Sequence, residues 1–391
     1  MNVKYNIKKH IIYPAWKILN KYAPHYYIFQ NVNLDLVETN QKRILISYIY
    51  DNFNISLKNI KHTNILEAAV INKCFIDFGY SVDIMHCQDT EHLKILKNKK
   101  YDVIFGFGEP FRMACSFNEN AKKIVYLTES EPTCSLRNEL ARIDYYRERH
   151  NKKIPLSRSG KYYKEDDITL ADYAICLGND FTKQGYEVAY KGIKIKSLQP
   201  TGMFNNYFNI QYTVPQRNFL WFGSVGAVHK GLDILLDVFK NKPNFKLYIA
   251  GLDSSDMHLL NNYKNCLNII NCGFVSVQSN DFLELISQVS FVILPSASEG
   301  MSTSVLTCMK HGLIPVVTRN TGIDVCDFGI YLEDYKIDYV SQALNDIVSM
   351  KDDEINAMRQ KVYNYSKDRF NVGKFRLDLK HILDEILNEG D

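Results

Sequence analysis

Short runs of apolar residues, each the length of a β-strand, alternate with segments of helical periodicity along most of the chain. The first half holds six such runs and the second half holds six more: KRILISYIY, YSVDIMHC, YDVIFGFG, KKIVYLT, ADYAICLG, KIKSLQP, NFLWFGS, NFKLYIAG, CLNIINCG, VSFVILPS, LIPVVT and GIYLE. Strands that alternate with helices form parallel sheets. The pattern therefore predicts an α/β protein with two successive doubly wound domains.

The segments between the strands read as amphipathic helices. In HTNILEAAVINKCFIDFG the apolar positions 65, 69, 71 and 75 recur at helical spacing, and Gly79 follows as a stop signal. We therefore predict a helix whose buried face carries Ile65, Ala69, Ile71 and Phe75.

Residues 202–217, GMFNNYFNIQYTVPQR, break the alternation and read as a linker. We divide the chain into an arm (1–40), an amino-terminal Rossmann-like domain (41–205) and a carboxyl-terminal Rossmann-like domain with further helices (206–391). Ligands of doubly wound sheets bind beyond the carboxyl ends of the strands. A cleft between the two domains is therefore the expected binding site.

The arm differs in sequence pattern from both of the predicted domains. Five lysines precede the first acidic residue, Asp35: Lys4, Lys8, Lys9, Lys17 and Lys21. A basic amphipathic segment of this kind lies on an anionic membrane surface, so residues 1–30 are a candidate for peripheral contact with the inner face of the plasma membrane. An arm packed on its own domain is the alternative.

Composition narrows the function classes. A chain of 391 residues with 46% apolar residues supports two cores, and a net charge of +3 gives no reason to expect a nucleic-acid partner. The nine cysteines form no CxxC pair or metal-ligand spacing, which indicates a reduced, cytoplasmic protein without a zinc site. We interpret Cys266 and Cys272 as core residues.

The stretch PSASEGMSTSVLTCMKHGLIPVV carries candidate chemistry at residues 295–317. It reads as the end of a strand, a loop, a helix that Ser302 or Thr303 caps, and a helix stop at Gly312. The backbone amides of residues 300–303 are then expected at a helix amino terminus, which suits a phosphate. Glu299 beside them suits a neutral group rich in hydroxyls.

A second anion feature opens the same domain. FGSVGAVHKGLDILLDVF runs from a strand into a helix, with Gly223 and Gly226 in the turn and Lys230 at the helix start. A lysine is a point charge suited to a diphosphate, and we expect free amides of the turn to point into the same cleft. Together the two features favour a diphosphate with a sugar attached.

Four motifs in this order resemble a known family: G-S-x-G-x-x-H-K-G-L-D, I-x-x-x-G-F-V, P-S-x-S-E-G and G-x-x-P-V-V. Over residues 218–332 the chain is similar to the donor domain of retaining GT-B glycosyltransferases, the family 4 or group 1 transferases. The resemblance implies two Rossmann-like domains facing across a cleft, a nucleotide-sugar donor, retention of anomeric configuration and no metal.

The resemblance also implies roles for single residues. Lys230 pairs with the diphosphate, Glu299 lies near the transferred sugar, and Phe274 and Val275 line the base pocket. The donor-binding set it indicates comprises Gly223, Ser224, Gly226, His229, Lys230, Phe274, Val275, Gly300, Met301, Ser302, Thr303 and Thr307.

Three positions depart from the family pattern. Thr307 stands where the second glutamate of the family's pair is expected, and a hydroxyl in place of a carboxylate weakens nucleotide binding about tenfold. The arginine usual before the lysine is absent, with Ser224, Val225 and His229 nearby. The glycine pair usual after the first strand is replaced by YDNFNIS.

The candidate residues for the acceptor side of the reaction lie in the first half of the chain. Glu129 and Glu131 follow a strand, and we expect both at the cleft, with Glu129 as a third catalytic candidate beside Glu299 and Lys230. The next segment, LRNELARIDYYRERHNKKIPLSRSGKYYK, presents either a basic aromatic face to a lipid-linked diphosphate acceptor or a solvated charged helix.

The resemblance implies a hexosyltransferase-like enzyme that needs no cofactor and moves a sugar from a nucleotide diphosphate to a glycan or lipid-linked acceptor. Together with the basic arm, it implies a role in surface polysaccharide biosynthesis. FGFGEPF follows the third strand and lacks a third glycine, which argues against a nucleotide-dependent dehydrogenase. A non-catalytic GT-B scaffold that binds a sugar or a protein partner remains the alternative.

Overall fold

The computed structural model describes residues 42–49, 62–160, 164–210 and 214–389. The predicted arm and the YDNFNIS loop lie outside these residues. The first sheet is parallel and has the order β2-β1-β3-β4-β5-β6. Its strands are β1 (Arg43–Tyr48), β2 (Ser81–His86), β3 (Val103–Gly106), β4 (Lys122–Leu127), β5 (Tyr173–Leu177) and β6 (Lys194–Leu198).

The second sheet is also parallel and has the order β12-β11-β10-β7-β8-β9. Its strands are β7 (Phe219–Phe222), β8 (Leu247–Ala250), β9 (Ile269–Gly273), β10 (Phe291–Leu294), β11 (Ile314–Thr318) and β12 (Ile330–Leu332). All twelve predicted runs therefore form strands. Central strands such as β10 are apolar throughout because helices cover both faces of the sheet.

Eleven α-helices lie between and after the strands within the described residues: α1 (Thr63–Asp77), α2 (Glu109–Phe117), α3 (Pro132–His150), α4 (Glu165–Thr169), α5 (Asp180–Ala189), α6 (Leu232–Lys240), α7 (Asn280–Ser287), α8 (Thr303–Met309), α9 (Ile337–Ser349), α10 (Asp352–Arg369) and α11 (Val372–Asn388). Three 3₁₀ segments accompany them at Leu93–Asn98, Ser254–Tyr263 and Arg319–Thr321. The predicted stop after α1 is confirmed, because Gly79 has a φ of +84°.

The buried face of α1 differs from the prediction. Ile71 and Phe75 are fully buried as expected, whereas Ile65 and Ala69 are only half-buried. The face instead includes Ala68 and a carboxylate, Glu67. The helix therefore delivers a charged side chain to the interior, which an apolar repeat does not reveal.

Each sheet has its own hydrophobic core. The strand order reverses between β1 and β3 in the first sheet and between β7 and β10 in the second. Crevices at such switch points, beyond the carboxyl ends of the strands, are where doubly wound sheets bind ligands. Loops from both crevices border one cleft between the domains.

Two helices cross between the domains. Helix α11 packs on α1, and its Phe375, Leu379 and Leu383 join the first core, although the sequence analysis placed this segment in the 206–391 domain. Helix α3 crosses in the other direction, because Tyr146 joins the second core. Each domain is therefore completed by a helix from the other half of the sequence.

The crossing of α3 accounts for part of the basic segment. Arg149 forms ion pairs with Asp233 and Asp237, and Arg142 is completely buried, so these two side chains face the second domain. Arg137 and Arg147 of the same helix are exposed, as expected of a solvated charged helix. Glu131 is also not a cleft residue, since its carboxylate caps α3 by accepting bonds from the Thr133 and Cys134 amides.

No helix in the described ranges is long and apolar enough to cross a bilayer. Cys266 and Cys272 are partly buried against the second core, as the sequence analysis interpreted them.

Candidate active site

The cleft between the domains has a water-accessible volume of about 540 Å³. Its first-domain wall includes Glu129 and Arg158, and its second-domain wall includes Lys230, Phe274 and Glu299. Charged groups from both domains thus meet at the carboxyl ends of the two sheets.

Lys230 and Glu299 form a buried ion pair in this cleft. Lys230 lies in the turn before α6, and Glu299 follows β10. The lysine Nζ donates to Glu299 Oε1, which also accepts a bond of 3.0 Å from Ser296 Oγ. Each residue is only 7% exposed. Burial favours the protonated acid, but the charges of Lys230 and Arg158 outweigh it and hold the pKa of Glu299 well below its usual range.

Glu129 and Arg158 form a second pair beside the first. Arg158 Nη2 donates to Glu129 Oε1 at 2.8 Å and lies 3.9 Å from Glu299 Oε2. Burial raises the pKa of Glu129 despite the nearby arginine, and the charge of Glu299 adds to the effect. Two cations and two acids therefore alternate across the cleft, an arrangement that an incoming anion can reorganise.

The glycine turn after β7 does not offer the free amides that we expected. The amides of Gly226 and Ala227 donate to Asp256 Oδ2 at 3.0 and 2.9 Å. Gly223 and Ser224 do line the cleft, and a side chain at Gly223 would meet the Trp221 ring at 2.6 Å. The turn therefore lines the cleft, but two of its amides already donate to the Asp256 carboxylate.

The loop from Gly300 to Thr303 approaches the first domain closely. A Cβ at Gly300 would stand 2.7 Å from the Thr128 carbonyl oxygen, and Thr182 Oγ1 donates to the Gly300 carbonyl at 2.6 Å. Met301, Ser302 and Thr303 line the cleft, but the Ser302 amide already donates to the Thr321 carbonyl. The small residue at position 300 therefore permits domain contact, and the predicted amide cluster is partly engaged within the loop.

The base-pocket candidates and His229 occupy different environments. Phe274 is 76% exposed at the cleft, and Val275 beside it is buried. The ring of His229 is buried behind the loop, with Nε2 2.6 Å from the Ser298 carbonyl oxygen. Burial lowers the pKa of His229, so the ring is neutral at pH 7. His229 therefore supports the Glu299 loop rather than facing the cleft.

Comparison with known proteins agrees with this geometry. Residues 216–348 match the family described as glycosyl transferases group 1. Over these residues the chain is similar to that family. No curated protein matches the sequence significantly.

Solved structures show that this chain has the GT-B fold, with two Rossmann-like domains. Sucrose-phosphate synthase from Thermosynechococcus elongatus aligns with a TM-score of 0.60 at 12% identity, covering 89% of this chain and 99% of that one. HepE from Anabaena, solved with UDP and glucose, aligns at 0.58 and 11%, covering 88% and 100%. S. aureus TarM, solved with Fondaparinux, alpha-GlcNAc-glycerol and UDP, aligns at 0.52 and 12%, covering 73% of this chain. The alignment spans only 55% of the TarM chain.

Thr307 has a structural role. Its hydroxyl donates to the Thr303 carbonyl at 2.8 Å and accepts a bond of 3.1 Å from the Met203 amide. It therefore ties α8 to the segment that joins the domains. The side chain lines the cleft, but its single hydroxyl proton is already donated to Thr303.

Sequence reasoning missed Arg142, which links the two loops that carry the central ion pair. Its Nε donates to the Val228 carbonyl and its Nη2 to the Pro295 carbonyl, each at 3.0 Å. One loop leads to Lys230 and the other to Glu299. The only signal was a charged helix, and no local pattern shows which domain such a helix faces.

Glu67 is a second missed residue at the cleft. Its Oε1 accepts bonds from the amide and hydroxyl of Thr201, at 2.6 and 2.9 Å, in the segment between the domains. Burial raises its pKa to about 7 although both bonds oppose the rise.

We predict that Glu67 makes the stability of this protein pH-dependent. Because its folded-state pKa lies above the unfolded value of about 4.3, the folded state binds the extra proton, and stability falls as pH rises from about 4.5 to 7. Relative to Glu67→Gln, the wild type should lose up to about 3 kcal/mol of unfolding free energy across this window. Urea unfolding at pH 4.5 and 8 measures the difference, and parallel pH profiles for the two proteins would contradict it.

Proposed function

We propose that this glycosyltransferase moves a sugar from a nucleoside diphosphate sugar to a glycan or lipid-linked acceptor with retention of configuration. The observation that carries the proposal is the buried Lys230–Glu299 pair in the cleft between the two sheets. A lysine at this place suits a diphosphate, and a carboxylate beside it suits sugar hydroxyls. The structures of HepE with UDP and glucose and of TarM with UDP support this ligand class.

Donor binding exchanges partners within the pair. Lys230 Nζ moves its hydrogen bond from Glu299 to a phosphate oxygen, and Glu299 accepts bonds from the sugar. The bond between the anomeric carbon and the diphosphate oxygen then breaks, and the diphosphate leaves with the electron pair. The acceptor hydroxyl forms the new bond on the same face and passes its proton to the leaving group. Preorganised side-chain charges stabilise the leaving diphosphate, and the proposal needs no metal ion.

The cellular setting is also part of the proposal. We propose that the enzyme acts in surface polysaccharide biosynthesis at the cytoplasmic face of the membrane, with residues 1–30 as the peripheral contact. The lysines of that segment support this assignment through their attraction to anionic lipids.

Retention is tested by the anomer that forms when water replaces the acceptor. With an α-linked nucleotide sugar, we expect proton NMR to show the α anomer of the free sugar first. The β anomer as the first product would contradict retention. Absence of turnover with every donor, together with tight binding of a sugar or protein, would favour the scaffold alternative.

A further inference from the structure

The glycine turn before Lys230 contains no arginine, yet a guanidinium stands in the same part of the cleft. Arg158 comes from the other domain, in the segment after α3. Its Nη2 lies 3.9 Å from Glu299 Oε2, while Lys230 Nζ contacts Oε1 of the same carboxylate. Two cations from two domains thus approach one anionic group.

A buried acid of α3 fixes the backbone around Arg158. The amides of Ser157 and Ser159 donate to the Glu139 carboxylate at 2.6 and 2.7 Å, and the Arg158 amide donates at 3.1 Å. Burial opposes ionisation, but the donors from Ser159 and Ser157 lower the pKa of Glu139 to about 2. The turn that carries Arg158 is therefore held in place by hydrogen bonds to an ionised carboxylate.

Gly226 leaves room for the arginine stem. A Cβ at this glycine would stand 3.1 Å from Arg158 Cγ, and its φ of +84° disfavours any side chain. The missing side chain therefore makes space for a residue of the other domain. Arg158 thus packs against the same turn that carries Lys230.

We propose that Arg158 binds the donor diphosphate as the second cation beside Lys230, delivered from the amino-terminal domain. The inference rests on the proposed function and deepens it. A guanidinium forms paired, charge-assisted bonds with phosphate oxygens. Glu129 accepts a hydrogen bond of 2.8 Å from the Arg158 guanidinium until a phosphate oxygen takes the place of the Glu129 carboxylate. The donor site is therefore complete only when both domains contribute.

The test compares R158A with R147A, which removes an exposed arginine of α3 that pairs with Asp144. Isothermal titration calorimetry measures the affinity for the nucleoside diphosphate that the wild type prefers and for the matching nucleoside. We expect R158A to lose about 10- to 100-fold in diphosphate affinity with unchanged nucleoside affinity. R147A should match the wild type in both titrations.

A double variant separates phosphate binding from simple neutralisation of Glu129. If Arg158 only neutralised that acid, R158A/E129Q would regain wild-type diphosphate affinity, and this result would overturn the inference. We expect the double variant to stay weakened. R158K, which keeps the charge without the paired donors, should recover part of the affinity, and it provides a folded comparison if R158A unfolds.

The outcomes distinguish the inference from the proposed function. Diphosphate binding that K230A weakens and R158A leaves unchanged overturns only the role of Arg158. If the wild type binds no nucleoside diphosphate, both proposals fall.

Discussion

Lys230→Ala is expected to lower affinity for the donor diphosphate at least about 100-fold and to abolish turnover. The variant loses the cation that pairs with phosphate, and it also leaves the buried Glu299 carboxylate facing the diphosphate with Arg158, 3.9 Å away, as its remaining cation. Breaking a buried pair by removing one partner costs about 3 to 5 kcal/mol, so the unfolding free energy should fall as well. Calorimetric titration and urea unfolding measure the two effects.

Lys240→Ala provides the matched control, because Lys240 is exposed at the end of α6, the helix that follows Lys230. It should behave as the wild type. The double variant K230A/E299Q should recover stability, since no uncompensated charge remains, but it should stay inactive. Wild-type diphosphate affinity in K230A would refute the assignment of the lysine.

Glu299→Gln is expected to lower turnover while it preserves the fold and the affinity for the diphosphate. Glutamine keeps an acceptor for Ser296 and Lys230, so the fold should be retained. The lysine no longer has an acidic competitor, so diphosphate affinity should stay the same or increase. Turnover should fall about 100- to 1,000-fold, because the carboxylate no longer supports positive charge at the anomeric carbon.

The effects on turnover and on binding are separated by measuring kcat and the diphosphate Kd on the same preparation. E284Q on the exposed face of α7 is the matched control and should leave both values unchanged. Near-normal kcat in E299Q would remove Glu299 from the reaction, whereas loss of diphosphate affinity would indicate a role in the ground state.

The sequence contained enough to predict both sheets and the placement of Lys230 and Glu299 at one cleft. Buried parallel strands are short apolar runs, and all twelve were recognisable. Lys230 and Glu299 follow β7 and β10, which are neighbours in the sheet although far apart in the chain. The carboxyl-end rule for parallel strands therefore brought these two residues together without any knowledge of contacts.

The sequence did not reveal the contributions across domains. Arg142 and Arg158 belong by sequence to the first domain, and no local periodicity shows that α3 packs on the second. Asp256 likewise satisfies the Gly226 amide from a segment about 30 residues away. Long-range contacts of this kind depend on how the domains meet, which a pattern along one chain does not encode.

Thr307 illustrates the same limit in a single residue. Its side chain was expected only as a weak substitute for a carboxylate toward a nucleotide. In the structure its hydroxyl bonds to Thr303 and Met203, and it thereby joins the second domain to the connecting segment. The bond to Met203 defines this role, and Met203 is about 100 residues away in the sequence.

Binding of a nucleoside diphosphate to the wild-type protein tests the central claim most directly. Calorimetric titration with UDP, GDP, ADP and CDP should show one base bound clearly more tightly than the others. A thermal shift should accompany it, since a ligand at about 100 times its Kd stabilises a protein by roughly 2.7 kcal/mol. Binding of one diphosphate would support a donor site at Lys230 and Glu299, and no binding of any would contradict it.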